Sequence, residues 1–276
     1  LTGGSLSLFA GNQITLNLSD AGLNANQTYN LISIVDGGLT SGVLTAGDYI
    51  LGGTPGGFTS VVLNKTNNLI SVTTGNLITG VSYWRGLTDT TWNGAANNWS
   101  TDKAGTTPAS SIPGQGTDVV FQWDALTNAA VTTTLEQNFK INSLTFEAST
   151  TPANTPTAVT INPGTVSTNQ LQIAPQVATD GIRITTGGPA AVTIAAPVKL
   201  VTNQTWNVAD SGSSLTVTGI VSGTGTLTKT GLGTLNLGGA NTFDSGLTIK
   251  AGTVVGSVSA VAFGTDGLIT LGNTTG

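Results

Sequence analysis

The sequence predicts an all-β fold in which short strands, joined by tight turns, stack as a solenoid. Three observations carry this expectation. Charged residues make up 8% of the 276 residues, whereas Gly occurs 38 times; long helices with charged outer faces need the reverse. Thr and Asn supply the polarity and Val, Ile and Leu the apolar surface, which is the composition of strands punctuated by turns. In the C-terminal third, apolar residues recur at intervals of about 20. Leu215, Leu235 and Val254 form one such ladder, and Leu227, Leu247 and Leu268 a second. One turn of such a coil cannot bury its apolar face alone, so successive turns stack and share a core.

Taken in order, residues 1–80 form an N-terminal β region. The runs 5–9, 14–18, 29–35, 58–63 and 69–72 are β-like but patterned differently, as longer and more regular strands,. Asp36-Gly37 and Asn67-Asn68 have the chemistry of hairpin turns,. A compact sheet or small β-sandwich fits this pattern, and so does a continuation of the solenoid. Residues 81–149 read as a Trp-rich, non-repetitive insertion, with Trp84, Trp92, Trp99 and Trp123 supplying four of the five Trp. Residues 150–276 carry the repeats. The early strand candidates there are 158–161, 171–173, 182–184, 192–194 and 205–208, with Pro152, Pro156, Pro163, Pro175, Pro189 and Pro197 between them. Proline removes a ladder donor, so its placement between strands agrees with the assignment. Runs 225–229, 233–237, 246–250, 252–255 and 267–271 then repeat one phrase, a Gly turn followed by alternation,.

The stretch GIVSGTGTLTKTGLGTLNLGGANTF (219–243), continuing as GLTIKAGTV (246–254), resembles the autotransporter-associated β-strand repeat of bacterial passengers and long surface proteins. Trp84-Arg85-Gly86, Thr91-Trp92-Asn93-Gly94 and Asn97-Asn98-Trp99-Ser100 resemble the Trp motif that opens modules in the same proteins, and Asp118–Phe121 and Ser143–Phe146 fit that module. The resemblance implies a right-handed parallel β-helix on the bacterial cell surface, with residues 1–80 as the end of a preceding module. It implies no activity, because such passengers include adhesins, proteases and stalks. The turn-like openings and closings of the chain read as an internal piece of a longer protein.

Chemistry is sparse. With no His and no Cys, a Ser-His-Asp triad, a Cys nucleophile and the common zinc sites are excluded, and no cofactor or metal is expected. Carboxylate chemistry on polysaccharide would fall to Asp118 and Asp124, with Arg85 or Arg183 as partners. Their spacing fits turn caps or solvated side chains better than a catalytic pair, so the expectation is that the chain is not an enzyme. The glycine pairs at 223–225 and 231–233 lack the Lys and helix of a phosphate loop,. The net charge is −5 and the eight basic residues are scattered, which argues against nucleic acid as a partner. No run approaches the roughly 20 apolar residues of a membrane-spanning helix.

Three functions follow in order. The first is a structural module of an extracellular surface fibre, stalk or filament, held to itself or to neighbouring modules through unpaired strand edges. The second is an adhesin module gripping glycan or a surface partner through Trp84, Trp92, Trp99 and Trp123, whose rings would stack on sugars. In competition with that reading, the same Trp residues form a small core. A polysaccharide-acting enzyme comes third.

Overall fold

The structure, a computed structural model, describes residues 14–16, 18, 23–33, 49–51, 57–66, 68–86, 89–93, 98–122, 130–150, 154–176, 180–257 and 260–272. Every named element among them is a strand. Their contacts divide the chain into two units, residues 1–78 and 79–276.

The first unit holds β1 (Ile14–Leu16), β2 (Thr28–Ser33), β3 (Tyr49–Leu51), β4 (Val61–Lys65) and β5 (Leu69–Thr74). β2 and β4 flank β5 in an antiparallel sheet, while β1 pairs with β3 in parallel. The β4–β5 hairpin closes where the Thr66 amide donates to the Leu69 carbonyl at 2.9 Å, the site expected from Asn67-Asn68. Tyr49 and Ile70 form its small buried core, with Ile14, Leu16, Ile32 and Leu63 packed around them. Asp36-Gly37 lies outside the described residues.

The second unit is built from parallel strands. It opens with β6 (Gly80–Trp84), β7 (Trp99–Ser100), β8 (Thr117–Phe121), β9 (Ala130–Thr134), β10 (Phe139–Ile141) and β11 (Ser143–Phe146). The next six are β12 (Ala158–Asn162), β13 (Leu171–Ile173), β14 (Asp180–Ile184), β15 (Ala191–Ile194), β16 (Val198–Leu200) and β17 (Gln204–Val208). The last seven are β18 (Ser214–Val217), β19 (Val221–Gly223), β20 (Leu227–Thr230), β21 (Thr234–Leu237), β22 (Leu247–Ile249), β23 (Thr253–Gly256) and β24 (Ile269–Leu271).

From β8 to β21 the chain deals successive strands to three sheets in near-regular rotation. One sheet runs β24-β22-β20-β17-β14-β11-β8-β6-β7, a second β23-β21-β18-β15-β12-β9 and a third β10-β13-β16-β19. All pairs are parallel except β6 with β7. The stretch 81–149 thus contributes strands to the same sheets as the repeats.

Register explains why these residues form these strands. In the six-stranded sheet, Val131, Val159, Val192, Leu215, Leu235 and Val254 occupy one column, with no register shift between any two strands. Alternation sends this column inward and its Ala, Ser and Thr neighbours outward. The Leu215–Leu235–Val254 ladder is as the period predicts. The second ladder slips by one: Leu227 and Leu247 pair as expected, but the next position is Ile269, and Leu268 sits in the preceding turn, 79% exposed. One extra residue between the strands suffices, because a single-residue slip exchanges the two faces of a strand.

Gly231 shows what the tight turns demand. Its φ is +75°, and a Cβ there would collide with the Val208 carbonyl oxygen of the adjacent layer, so only glycine fits. Among the described residues, no helix is long and apolar enough to cross a membrane.

Candidate functional site

The two ends of the parallel sheets differ, and each concentrates one kind of surface. At the β6 end, Trp84, Phe121 and Phe146 stand opposite one another on adjacent strands. Their rings stack in sequence, with centroids 5.7 Å and 5.2 Å apart and planes 26° and 27° from parallel. Trp99 meets Trp84 edge-on at 5.0 Å, Trp92 meets Trp99 edge-on at 5.2 Å, and Trp92 reaches Phe139 at 5.3 Å. Offset and edge-to-face contacts of this kind are the favoured aromatic geometries. Trp92 and Trp99 are fully buried and Trp84 is 3% exposed, so none presents a ring face for a sugar to stack on. The competing reading, that they make a core, describes their placement. Trp123 and Asp124 lie outside the described residues.

Buried indole N–H groups need acceptors. Trp92 donates to the Thr133 hydroxyl at 3.1 Å, Trp99 to the Trp92 carbonyl at 3.0 Å, and Trp206 to the Gln204 amide oxygen at 2.9 Å. The Trp84 N–H has no acceptor among the described residues and is not among the buried unpaired side-chain atoms, which are Gln115 Oε1 and Gln122 Nε2, so it stands open to solvent. It lies beside Gly86, whose φ is +57° and where a Cβ would approach Trp84 Nε1 to 3.0 Å.

A cleft of about 290 Å³ opens beside it, lined by Trp84, Arg85, Gly86, Asp89, Thr90, Ala130, Val131 and Thr132. Thr134 exchanges backbone hydrogen bonds with Thr90 and Trp92, at 2.9 and 2.8 Å. No described strand pairs with Ala130–Thr132 on that side. By the two-residue alternation of a strand, the Thr132 N–H and C=O face the same way as those of Thr134. The Arg85 guanidinium is half-buried, lies against Gly105 and has no side-chain partner among the described residues.

Among the described residues the carboxylates form no cluster of three or more; Glu147 pairs with Lys103 at 2.7 Å, and three others serve turns. Asp89 accepts from the Thr91 amide, the Thr91 hydroxyl and the Asn98 amide group, each at 2.7 Å. Asp102 accepts from the Thr106 amide at 3.0 Å and also from Thr107 and Ser100. Glu136 accepts from the Thr165 amide and hydroxyl. These donors hold all three below the usual carboxylate range, led by the Thr91 amide, the Thr106 amide and the Thr165 hydroxyl respectively. Asp118 accepts from Asn142 and Ser143, and Arg183 points outward from β14. The register sets Asp118 and Arg183 on one face of the same sheet, with β11 between their strands.

The other end carries an open edge. β24 and β23 are the last described strands of their sheets, whereas the β19 edge is covered by residues 241–242, whose Asn241 side chain and Thr242 amide take up the Val221 backbone. Ile269 is 45% and Leu271 75% exposed, Val255 is exposed with them, and neither β23 nor β24 bears a charge. Just inside this end lies a cation that the sequence reading passed over. Lys229 is fully buried, stacked between Trp206 and Ile249, and its ammonium donates to the carbonyls of Thr230, Gly231 and Ala251 at 2.6, 2.8 and 3.3 Å. Burial pushes its pKa down to about 8. Buried Asn241 acts similarly, accepting from the Val221 amide at 2.7 Å and donating to the Ala262 carbonyl at 2.5 Å. Each of these side chains ties successive layers together.

Comparison with known proteins adds no relative: no family model, no curated protein and no solved structure matches the chain.

Proposed function

We propose that the second unit is a right-handed β-helical coil serving as a structural module of an extracellular bacterial surface fibre or stalk. Its open edge accepts the next strand, from the continuing chain or from a neighbouring copy. The observation that carries this reading is the asymmetry of the sheets. One end is filled by aromatic rings, and its nine-stranded sheet is finished by the antiparallel β7, whereas at the other end the last described strands, β23 and β24, are uncharged and apolar. Exposed edges of this type template further strands unless charges or bulges blunt them. The three-sheet rotation and the shared core are what a stacked coil requires. The resemblance of residues 219–254 to autotransporter-associated repeats supplies the cell-surface setting. Thinly spread carboxylates and the lack of His and Cys favour structure over catalysis.

Electron microscopy of the unheated protein tests the proposal. End-to-end assemblies of uniform width are expected, and Leu271→Lys should dissolve them by placing a charge on the edge. Discrete particles at every concentration, unaffected by Leu271→Lys, would overturn self-association.

A further inference from the structure

We infer that the Trp99–Ala109 hairpin is a stop for strand addition, so that self-association of this chain closes at two copies, open edge against open edge. The partner in the self-association proposed above, on which this rests, is a second copy of the chain joined through β24.

Beyond β7 the nine-stranded sheet meets the returning arm of a hairpin. The Ala109 amide donates to the Trp99 carbonyl at 2.9 Å, the Thr101 amide donates to the Thr107 carbonyl at 3.0 Å, and Ser100 lies opposite Pro108. By the two-residue alternation of a strand, the backbone positions of this arm that face away from β7 are Thr106 and Pro108. Neither offers a donor. Asp102 holds the Thr106 amide at 3.0 Å, and proline has no N–H. Proline on an edge is one of the devices that keep a strand from templating another. The hairpin is also fastened down. Asp102 accepts from the Thr107 amide and the Ser100 hydroxyl, Lys103 reaches Glu147 just past β11, and Ala109 is buried in the core. At the far end of the same sheet the backbone is arranged the opposite way. The Leu268 carbonyl and the Gly272 amide are taken by Leu247 and Ile249 of β22, so the N–H and C=O groups of Ile269 and Leu271 point away from β22, where no described strand lies. One end of the sheet can therefore take a strand, whereas head-to-tail growth needs both. What remains is a two-fold contact in which β24 of each copy runs antiparallel to the other about Thr270. Ile269 then stands opposite Leu271 of the second copy, the two exchange backbone hydrogen bonds, and their side chains stay on the core face. β24 carries no charge to oppose this pairing. A patch that pairs with its own copy occupies both open edges and closes the assembly.

Sedimentation velocity of the unheated chain over a range of concentrations is the test. The wild type should reach two copies and no more, and Leu271→Lys should return it to one. Asp102→Ala/Pro108→Val, which frees the outward donors, should build assemblies longer than two copies. Pro108→Val alone, at an exposed position, restores one outward donor with the Asp102 contacts intact and should move the distribution the same way by less. Pro108→Lys restores that donor together with an edge charge and should stay at two. Emission from the buried Trp residues should match the wild type in each variant, which separates release of the stop from unfolding; if the double variant unfolds, Pro108→Val decides. Wild-type assemblies longer than two copies would leave the structural role standing and remove the stop, and so would a folded Pro108→Val and double variant that both remain at two. A wild type that stays single at every concentration rejects self-association itself, and this inference with it.

Discussion

The two ends of the second unit solve one packing problem by different means. Between β6 and β11 the interior is filled by size: Trp84, Trp92, Trp99, Phe121, Phe139 and Phe146 pack ring against ring. Between β18 and β23 it is filled by repetition, with Leu or Val in each layer and separations of 20 and 19 residues along the Leu215–Leu235–Val254 column. There the layers lie so close that glycine is required at turns, and polar side chains such as Lys229 and Asn241 tie carbonyls and amides of successive layers. Irregular spacing needs large, adaptable side chains to fill uneven gaps, whereas regular spacing lets small ones interlock. The aromatic end therefore depends on side-chain volume and the regular end on backbone registry.

The sharpest way to break this comparison is to remove volume where volume matters. Trp99→Ala should cost about 3–5 kcal/mol, read from urea unfolding, while Leu232→Ala at the other end, 67% exposed, should be nearly neutral. Equal effects would sink the distinction.

The next effect concerns Lys229, and it sharpens the account of the regular end. Its folded pKa of about 8 lies below the usual value of 10.5, so the unfolded chain holds its proton more tightly. Stability then rises with pH between about 8 and 10.5 and is unchanged by this group below that window. Three carbonyl acceptors favour the charged form and temper the gain. In Lys229→Met the rise should vanish, as denaturant melts at pH 7.5 and 10 would reveal.

The smallest effect is in the turns. The Asp102 carboxyl is held below its unfolded value, so its contribution is present above about pH 4 and lost as pH falls through the folded pKa. Amide exchange at Thr106 and Thr107 should quicken in Asp102→Asn at neutral pH, with the melting temperature barely moved.

Much of the regular end is legible in the sequence because Gly spacing and alternation state the register outright. The Leu215 ladder, the strands at 158–161, 171–173 and 192–194, and the prolines between them follow from that. Leu268 misleads because it and Ile269 are adjacent apolar residues, and either continues the pattern until the preceding turn length is known. A further signal goes unused: Ala-Val-Thr stands at 130–132, 158–160 and 191–193, and those three segments lie side by side in the six-stranded sheet. It is visible only when spacings of 28 and 33 residues are tolerated. The Trp-rich stretch reads as an insertion because its loops hide the rotation of strands among sheets. Nothing in the sequence separates Trp84 from its neighbours. That difference depends on which indole N–H finds an acceptor, a fact of three-dimensional placement alone.

The stacking of layers also bears on mechanics. In the proposed coil each added layer contributes about 4.8 Å of height, while the 20 residues from Leu215 to Leu235 span about 70 Å when drawn out. Layers grip only their neighbours, so tension at the open end peels them away singly and lengthens the chain many times over before the aromatic end is disturbed. A coil stacked this way yields gradually under load.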